Sequence, residues 1–244
     1  MLSSSGRRGL TLISMILFHA SWDAVYLFGL QWDWFNGTGA LIWQQSICCT
    51  FILLSGFCRL LGSHPFKRGA VVFVCGVVVS VVTALFMPQE LILFGILTLM
   101  GSCMLLMSLL RPLTNKIPPV AGLIGSGILF ILLRNVSRGY IGISGLRMFE
   151  LPSWLYKGMV GTFFGFPDPN FFSTDYFPLL PWLFLFAVGE FLYRILEPVL
   201  YDAPIMQKHF RPLSFLGRHS LLIYLLHQPV VYGLMLLVNL AFSR

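Results

Sequence analysis

The sequence predicts an all-α membrane protein, a polytopic bundle of about seven transmembrane helices with one longer outer loop at 135–177. Three observations carry this. Of 244 residues, 57% are apolar and only 10% are charged, and the mean hydropathy is +0.83. A soluble domain needs about 25% charged residues to coat its surface, so lipid is the natural solvent of this chain. Its Lys and Arg residues stand mostly singly or in pairs at the ends of apolar runs, where such charges mark topology. Finally, seven apolar runs approach the ~20 residues that cross ~30 Å of hydrocarbon. We expect residues 1–244 to form a single membrane domain. The net charge of +7 does not point to nucleic acid, because no basic stripe with interleaved aromatics accompanies it.

The runs lie near 10–30, 40–61, 69–87, 91–110, 119–134, 178–196 and 214–241. Arg7 and Arg8 before the first run resemble the start of a signal peptide. The apolar stretch continues past Trp22 without a small-x-small site, so it reads as a retained helix. Lys and Arg placement sets the orientation. Eleven of the sixteen fall on the side of the N-terminus, among them Arg59, Lys67, Arg68, Arg111, Arg194 and Arg218. The N-terminus is therefore expected in the cytoplasm and the C-terminus outside. The long 135–177 connection is rich in Gly, Pro and rings, including Tyr140, Trp154, Tyr156, Phe163 and Phe171. Short helices at the outer interface fit that composition. The five cysteines sit inside apolar runs without zinc-type spacing, so neither a disulfide nor a metal is expected. No Gly-rich phosphate motif and no internal repeat occurs.

Ionisable groups inside hydrocarbon are costly and mark function by default. His19 lies about nine residues into the first run, roughly 14 Å deep at 1.5 Å per residue. Asp23 follows one turn later on the same face, where a carboxylate can fix the tautomer of an imidazole. In the last run, Ser220, Tyr224 and His227 recur at i, i+4 and i+7 and share one face. His227 is as deep as His19, and Pro229 opens the helix beside it. An interhelical hydrogen bond explains each histidine equally well. Asp175, in Ser173-Thr174-Asp175-Tyr176-Phe177-Pro178, reads as the N-terminal cap of the sixth helix or as a substrate contact. Glu190 is the deepest acid of that helix and suits an internal ion pair. The inner basic residues serve positive-inside bias and lipid contact, or hold the phosphates of a donor.

Four motifs resemble one family. His19-Ala20-Ser21-Trp22-Asp23 resembles the segment around the catalytic histidine of heparan-α-glucosaminide N-acetyltransferase. Phe51-Ile52-Leu53-Leu54-Ser55-Gly56 is similar to its second-helix pattern. Asp175 to Trp182 and Gly217 to Pro229 resemble signatures of its small bacterial relatives. All four stand in the family's order. The resemblance implies an integral protein of a bacterial inner membrane that moves an acyl group, chiefly acetyl, from cytoplasmic acetyl-CoA to an extracytoplasmic acceptor such as a sugar or envelope component. It matches His19 to the family's catalytic histidine and His227 to the histidine of its final helix, and carries no further than their immediate neighbours. In the acyl-transfer reading of the residues themselves, His19, Asp23 and His227 are the catalytic candidates, Ser220, Tyr224, Asp175 and Trp182 the substrate contacts, and Arg59, Arg68 and Arg218 the residues that hold acyl-CoA. The bilayer is the constant partner, and a homo-oligomer is compatible with the sequence. The lysosomal enzyme has a large extra luminal portion and more helices than are expected here, and Thr98 stands where bacterial relatives often place His or Asn. A proton-coupled transporter and a non-catalytic membrane subunit stay open as alternatives.

Overall fold

The fold is taken from a computed structural model that describes residues 4–143, 145–201 and 220–242. Its principal helices are α1 (Ser4–Trp22), α2 (Thr38–Arg59), α3 (Pro65–Phe86), α4 (Ile96–Leu109), α6 (Pro119–Leu133), α8 (Leu179–Tyr201) and α9 (Ser220–Phe242). Shorter helices are α5 (Arg111–Thr114) and α7 (Gly158–Phe164). Each predicted apolar run carries one of the principal helices. Among the described residues, five helices are long and apolar enough to cross a bilayer: Thr38–Arg59, Pro65–Phe86, Pro119–Arg138, Leu179–Val199 and Leu221–Val238. Leu12–Tyr26 and Ile96–Leu109 are shorter apolar helices. The protein is an integral membrane protein of helical-bundle type.

The chain forms two compact units, residues 1–51 with 199–244 and residues 52–198. In the first, α1 and α9 pack together. Leu12, Met15 and Phe18 of α1 join Phe35, Ala40 and Ile47 in its core, and Ile223 and Tyr224 of α9 close over them. Trp43 donates its indole N–H to the Ser14 hydroxyl at 3.0 Å. The first run ends earlier than expected. Regular α-helix stops at Trp22, and Asp23–Leu27 form a π-helical turn.

In the second unit glycines let helices touch backbone to backbone, the usual means of association where no hydrophobic drive exists between apolar helices. A Cβ at Gly56 of α2 would overlap the Phe186 carbonyl of α8, and one at Gly189 of α8 would overlap the Leu53 carbonyl of α2. Gly69 and Gly76 of α3 sit against Met104 and Thr98 of α4, and Gly101 of α4 sits against Phe73. α4 is buried almost all round, from Ile96 through Met104. The opposite side of α3 exposes Val71, Val74, Val78, Val82 and Phe86, the surface of a helix that faces lipid.

Two expectations need correction. The 91–110 run becomes helical only at Ile96, because 91–94 are irregular, with Phe94 at a left-handed φ of 54°, and are hydrogen-bonded to 173–177. Thr174 N–H donates to the Leu91 carbonyl at 3.0 Å, and Phe177 N–H to that of Phe94 at 2.9 Å. The 135–177 loop is not only short helices. It contains an antiparallel hairpin, β1 (Tyr140–Ile143) with β2 (Leu146–Glu150), with a bulge at Ile141/Gly142. The loop's rings pack on one another and on α4's entry: Phe94 meets Phe163 and Phe171, and Phe171 meets Tyr176.

Candidate functional site

In the first unit, α1 carries His19 in its last turn and α9 carries His227 about two turns from its start. The packing of α1 on α9 brings their imidazole rings to 4.9 Å between centroids, tilted by 58°. The pair lies in an aromatic sleeve. Phe18 stands edge-on to His19 at 6.0 Å, Tyr224 lies 5.4 Å from His227, and Phe51 stacks on Tyr224 at 6.2 Å. His227 is 7% exposed.

Its Nδ1 lies 2.6 Å from the Tyr224 carbonyl oxygen, one turn back in the same helix. A carbonyl only accepts, so Nδ1 carries the proton of that bond. In a neutral ring the lone pair then resides on Nε2. Nε2 is buried without a hydrogen-bond partner among the described residues. This arrangement presents one imidazole nitrogen, held by its own helix, beside a second imidazole. Such a pair can take up and hand on a proton.

Asp23 is fully buried at the first position of the π turn. Single π turns inside α-helices recur at functional sites because the extra residue re-aims side chains. Tyr224 is half-buried against the core of this unit. Ser220 opens the described part of α9, and Arg218 lies outside the described residues.

The remaining expected site residues belong to the second unit. Arg59, the last residue of α2, is fully buried and meets Glu190 of α8 through two bonds, Nε to Oε2 at 2.6 Å and Nη2 to Oε1 at 2.7 Å. Its Nη1 donates to the Ser108 hydroxyl at 3.2 Å. Arg194, one turn beyond Glu190, donates to the same Oε1 at 2.7 Å and to the Thr114 carbonyl at 2.9 Å. The internal ion pair expected for Glu190 is thus present. Arg59, expected to hold phosphates, spends two of its three nitrogens on that acid. Ser108 and Thr114 drew no attention in the sequence; Arg194 was legible as the i+4 partner of Glu190.

Asp175 does cap a helix, but not its own. Its Oδ2 accepts the Ile96 N–H at 3.2 Å and so satisfies the start of α4. Burial raises its carboxyl to about 6, with the Ile96 N–H pulling the other way. Trp182 is buried between Phe130 and Phe177, at 5.7 and 5.4 Å between ring centroids. Arg68 is half-buried, and a Cβ on Gly62 would overlap its guanidinium. Among the described residues no cluster of three or more His, Cys, Asp or Glu could hold a metal.

Comparison with curated proteins and with solved structures finds no match. Comparison with protein families finds the model described as heparan-alpha-glucosaminide N-acetyltransferase, catalytic, over residues 7–229. That match runs from the start of α1 to Pro229 in α9 and contains both histidines, Asp23 and the buried Arg59–Glu190 pair. The chain therefore belongs to the catalytic-domain family of heparan-alpha-glucosaminide N-acetyltransferase, a family of transmembrane acetyltransferases.

Proposed function

We propose that this protein transfers an acetyl group from acetyl-CoA on the cytoplasmic side of the membrane to an amine or hydroxyl acceptor on the far side. The observation that carries the reading is the close approach of His19 and His227 within the family's transmembrane domain. In the reaction the acceptor attacks the thioester carbonyl, and an imidazole nitrogen takes the acceptor's proton. The C–S bond breaks, and the departing thiolate of CoA is protonated in turn. His19 acts as that base, or carries the acetyl group transiently on a ring nitrogen. His227 relays the proton through Nε2. Asp23 orients His19, and the Tyr224 hydroxyl stabilises the oxyanion. Ser220, Asp175 and Trp182 shape the path of the substrates, and the basic inner face receives the donor. The N-terminus is cytoplasmic and the C-terminus external, in a bacterial inner membrane. The acceptor is a sugar or another envelope component.

The test is turnover of acetyl-CoA by purified protein in nanodiscs, with a panel of amine and hydroxyl acceptors. Loss of the thioester that drops about 10²–10⁴-fold in His19→Ala, the span typical of general acid–base groups, supports the reading. Transport of acceptor without thioester loss, in folded protein, overturns it in favour of a carrier.

A further inference from the structure

Where α2 ends and α3 begins, an open cleft of about 420 Å³ enters the second unit. That volume falls in the range of small-molecule sites. Arg59 and Ser108 line its inner part, and His64, Lys67 and Arg111 line its exposed part. None of its lining residues is an acid. The acid nearest in the network, Glu190, is shared between Arg59 and Arg194. Two guanidinium groups on one carboxylate leave an excess positive charge beside the cleft, fixed there by hydrogen bonds. Lys67 and Arg111 enter no ion pair with any described residue.

The backbone adds to this. α3 starts at Pro65 with no side-chain cap, and its N-cap residue His64 holds a left-handed φ of 52°. The Arg68 N–H returns to the His64 carbonyl at 3.1 Å. The amides of Phe66 and Lys67 stand in the first turn, where helical N–H groups have no partner within the helix and the dipole favours negative charge.

We propose that this cleft binds a phosphoryl group, carried either by the nucleotide portion of an acyl-CoA or by the headgroup of an anionic lipid. Lys67 and Arg111 make the contacts, and Arg59 sets the potential from beneath. Arg59 therefore acts through the cleft's field, and Arg68 is not among the lining residues. Only the CoA form of this inference rests on the acyl-transfer reading; phosphate binding itself does not.

The experiment uses the full chain in phosphatidylcholine nanodiscs. One arm titrates unacylated coenzyme A. The other measures exchange of a short-chain fluorescent phosphatidylglycerol. Both compare wild type with Lys67→Ala/Arg111→Ala and with Lys67→Arg, with thermal unfolding to show that each variant is folded. Both residues are exposed, so folding is not expected to suffer. The double variant should weaken one probe by about tenfold or more, with a shallower dependence on salt, and Lys67→Arg should retain most of the affinity. A loss confined to coenzyme A identifies the nucleotide source, and a loss confined to phosphatidylglycerol identifies the lipid. Unchanged affinity for both probes in the folded double variant overturns the proposal. Coenzyme A that binds through Lys67 and Arg111 without any turnover leaves the cleft standing while the acyl-transfer reading falls.

Discussion

Arg59 and Glu190, 131 positions apart in sequence, form a two-pronged ion pair at 2.6 and 2.7 Å in which neither side chain is exposed. Removing one partner of a buried pair strands a charge, which costs about 3–5 kcal/mol. Glu190→Gln strands two guanidinium groups and should lower stability by about that amount. Arg194→Ala should cost less, because Arg194 is partly exposed and Arg59 keeps its carboxylate. Unfolding in mild detergent checks both. A Glu190→Gln protein as stable as wild type would show that the pair contributes nothing net.

The His19–His227 contact predicts an asymmetry between the two. If His19 is the base or acyl carrier, His19→Ala removes turnover. His227→Gln, which keeps a polar side chain, should lower kcat by about 10²-fold and change the pH profile, with a smaller effect on KM. Equal and complete loss in both variants, with retained folding, would show that both rings are indispensable to the reaction and would remove the asymmetry.

Helix contact through glycine separates two kinds of position. Gly56→Ala places a methyl into the Phe186 carbonyl, and overpacking of this kind costs about 1–3 kcal/mol. Gly125→Ala in α6 meets no atom within 4 Å and should be neutral or stabilising by up to about 1 kcal/mol, since alanine is the better helix former. Thermal stability of the two variants side by side reads this directly. Equal effects would mean that α2 and α8 are not in close contact.

Asp175 offers a pH test. Its carboxyl is raised from the ordinary 3.8 to about 6, so the folded protein holds this proton more tightly than the unfolded chain does. That contribution is full below about 3.8 and is lost as pH rises through 6. The stability advantage of wild type over Asp175→Asn should therefore shrink between pH 4 and pH 7. An advantage that grows over this interval would show that the Ile96 bond to a charged carboxylate outweighs burial.

Much of the architecture was legible in the chain. Each of the seven apolar runs holds a helix, and among the described residues five of these are long and apolar enough to cross a bilayer, since a bilayer filters sequences by apolar length far more strictly than water does. That His19 and His227 stand on apolar helices followed from their places in the first and last runs. Other features were out of reach. The hydrogen bonding of 91–94 to 173–177 depends on partners about 80 positions apart, and the apolar residues there look no different from those of a helix. The Asp175 cap on α4 is hidden for the same reason: the side chain that satisfies a helix start usually lies next to it in sequence, and here it does not.

By itself the sequence determined the solvent, where the apolar helices fall and which polar residues lie among them, since each of these depends only on local composition and length. Tertiary structure alone decided that two imidazoles lie 4.9 Å apart and that Arg59 is bound to Glu190. It also decided that Lys67 and Arg111, rather than Arg68, line the basic cleft. Those facts turn on helix rotation and on close approach through glycine, which join residues far apart in the chain and leave no periodic trace in either partner.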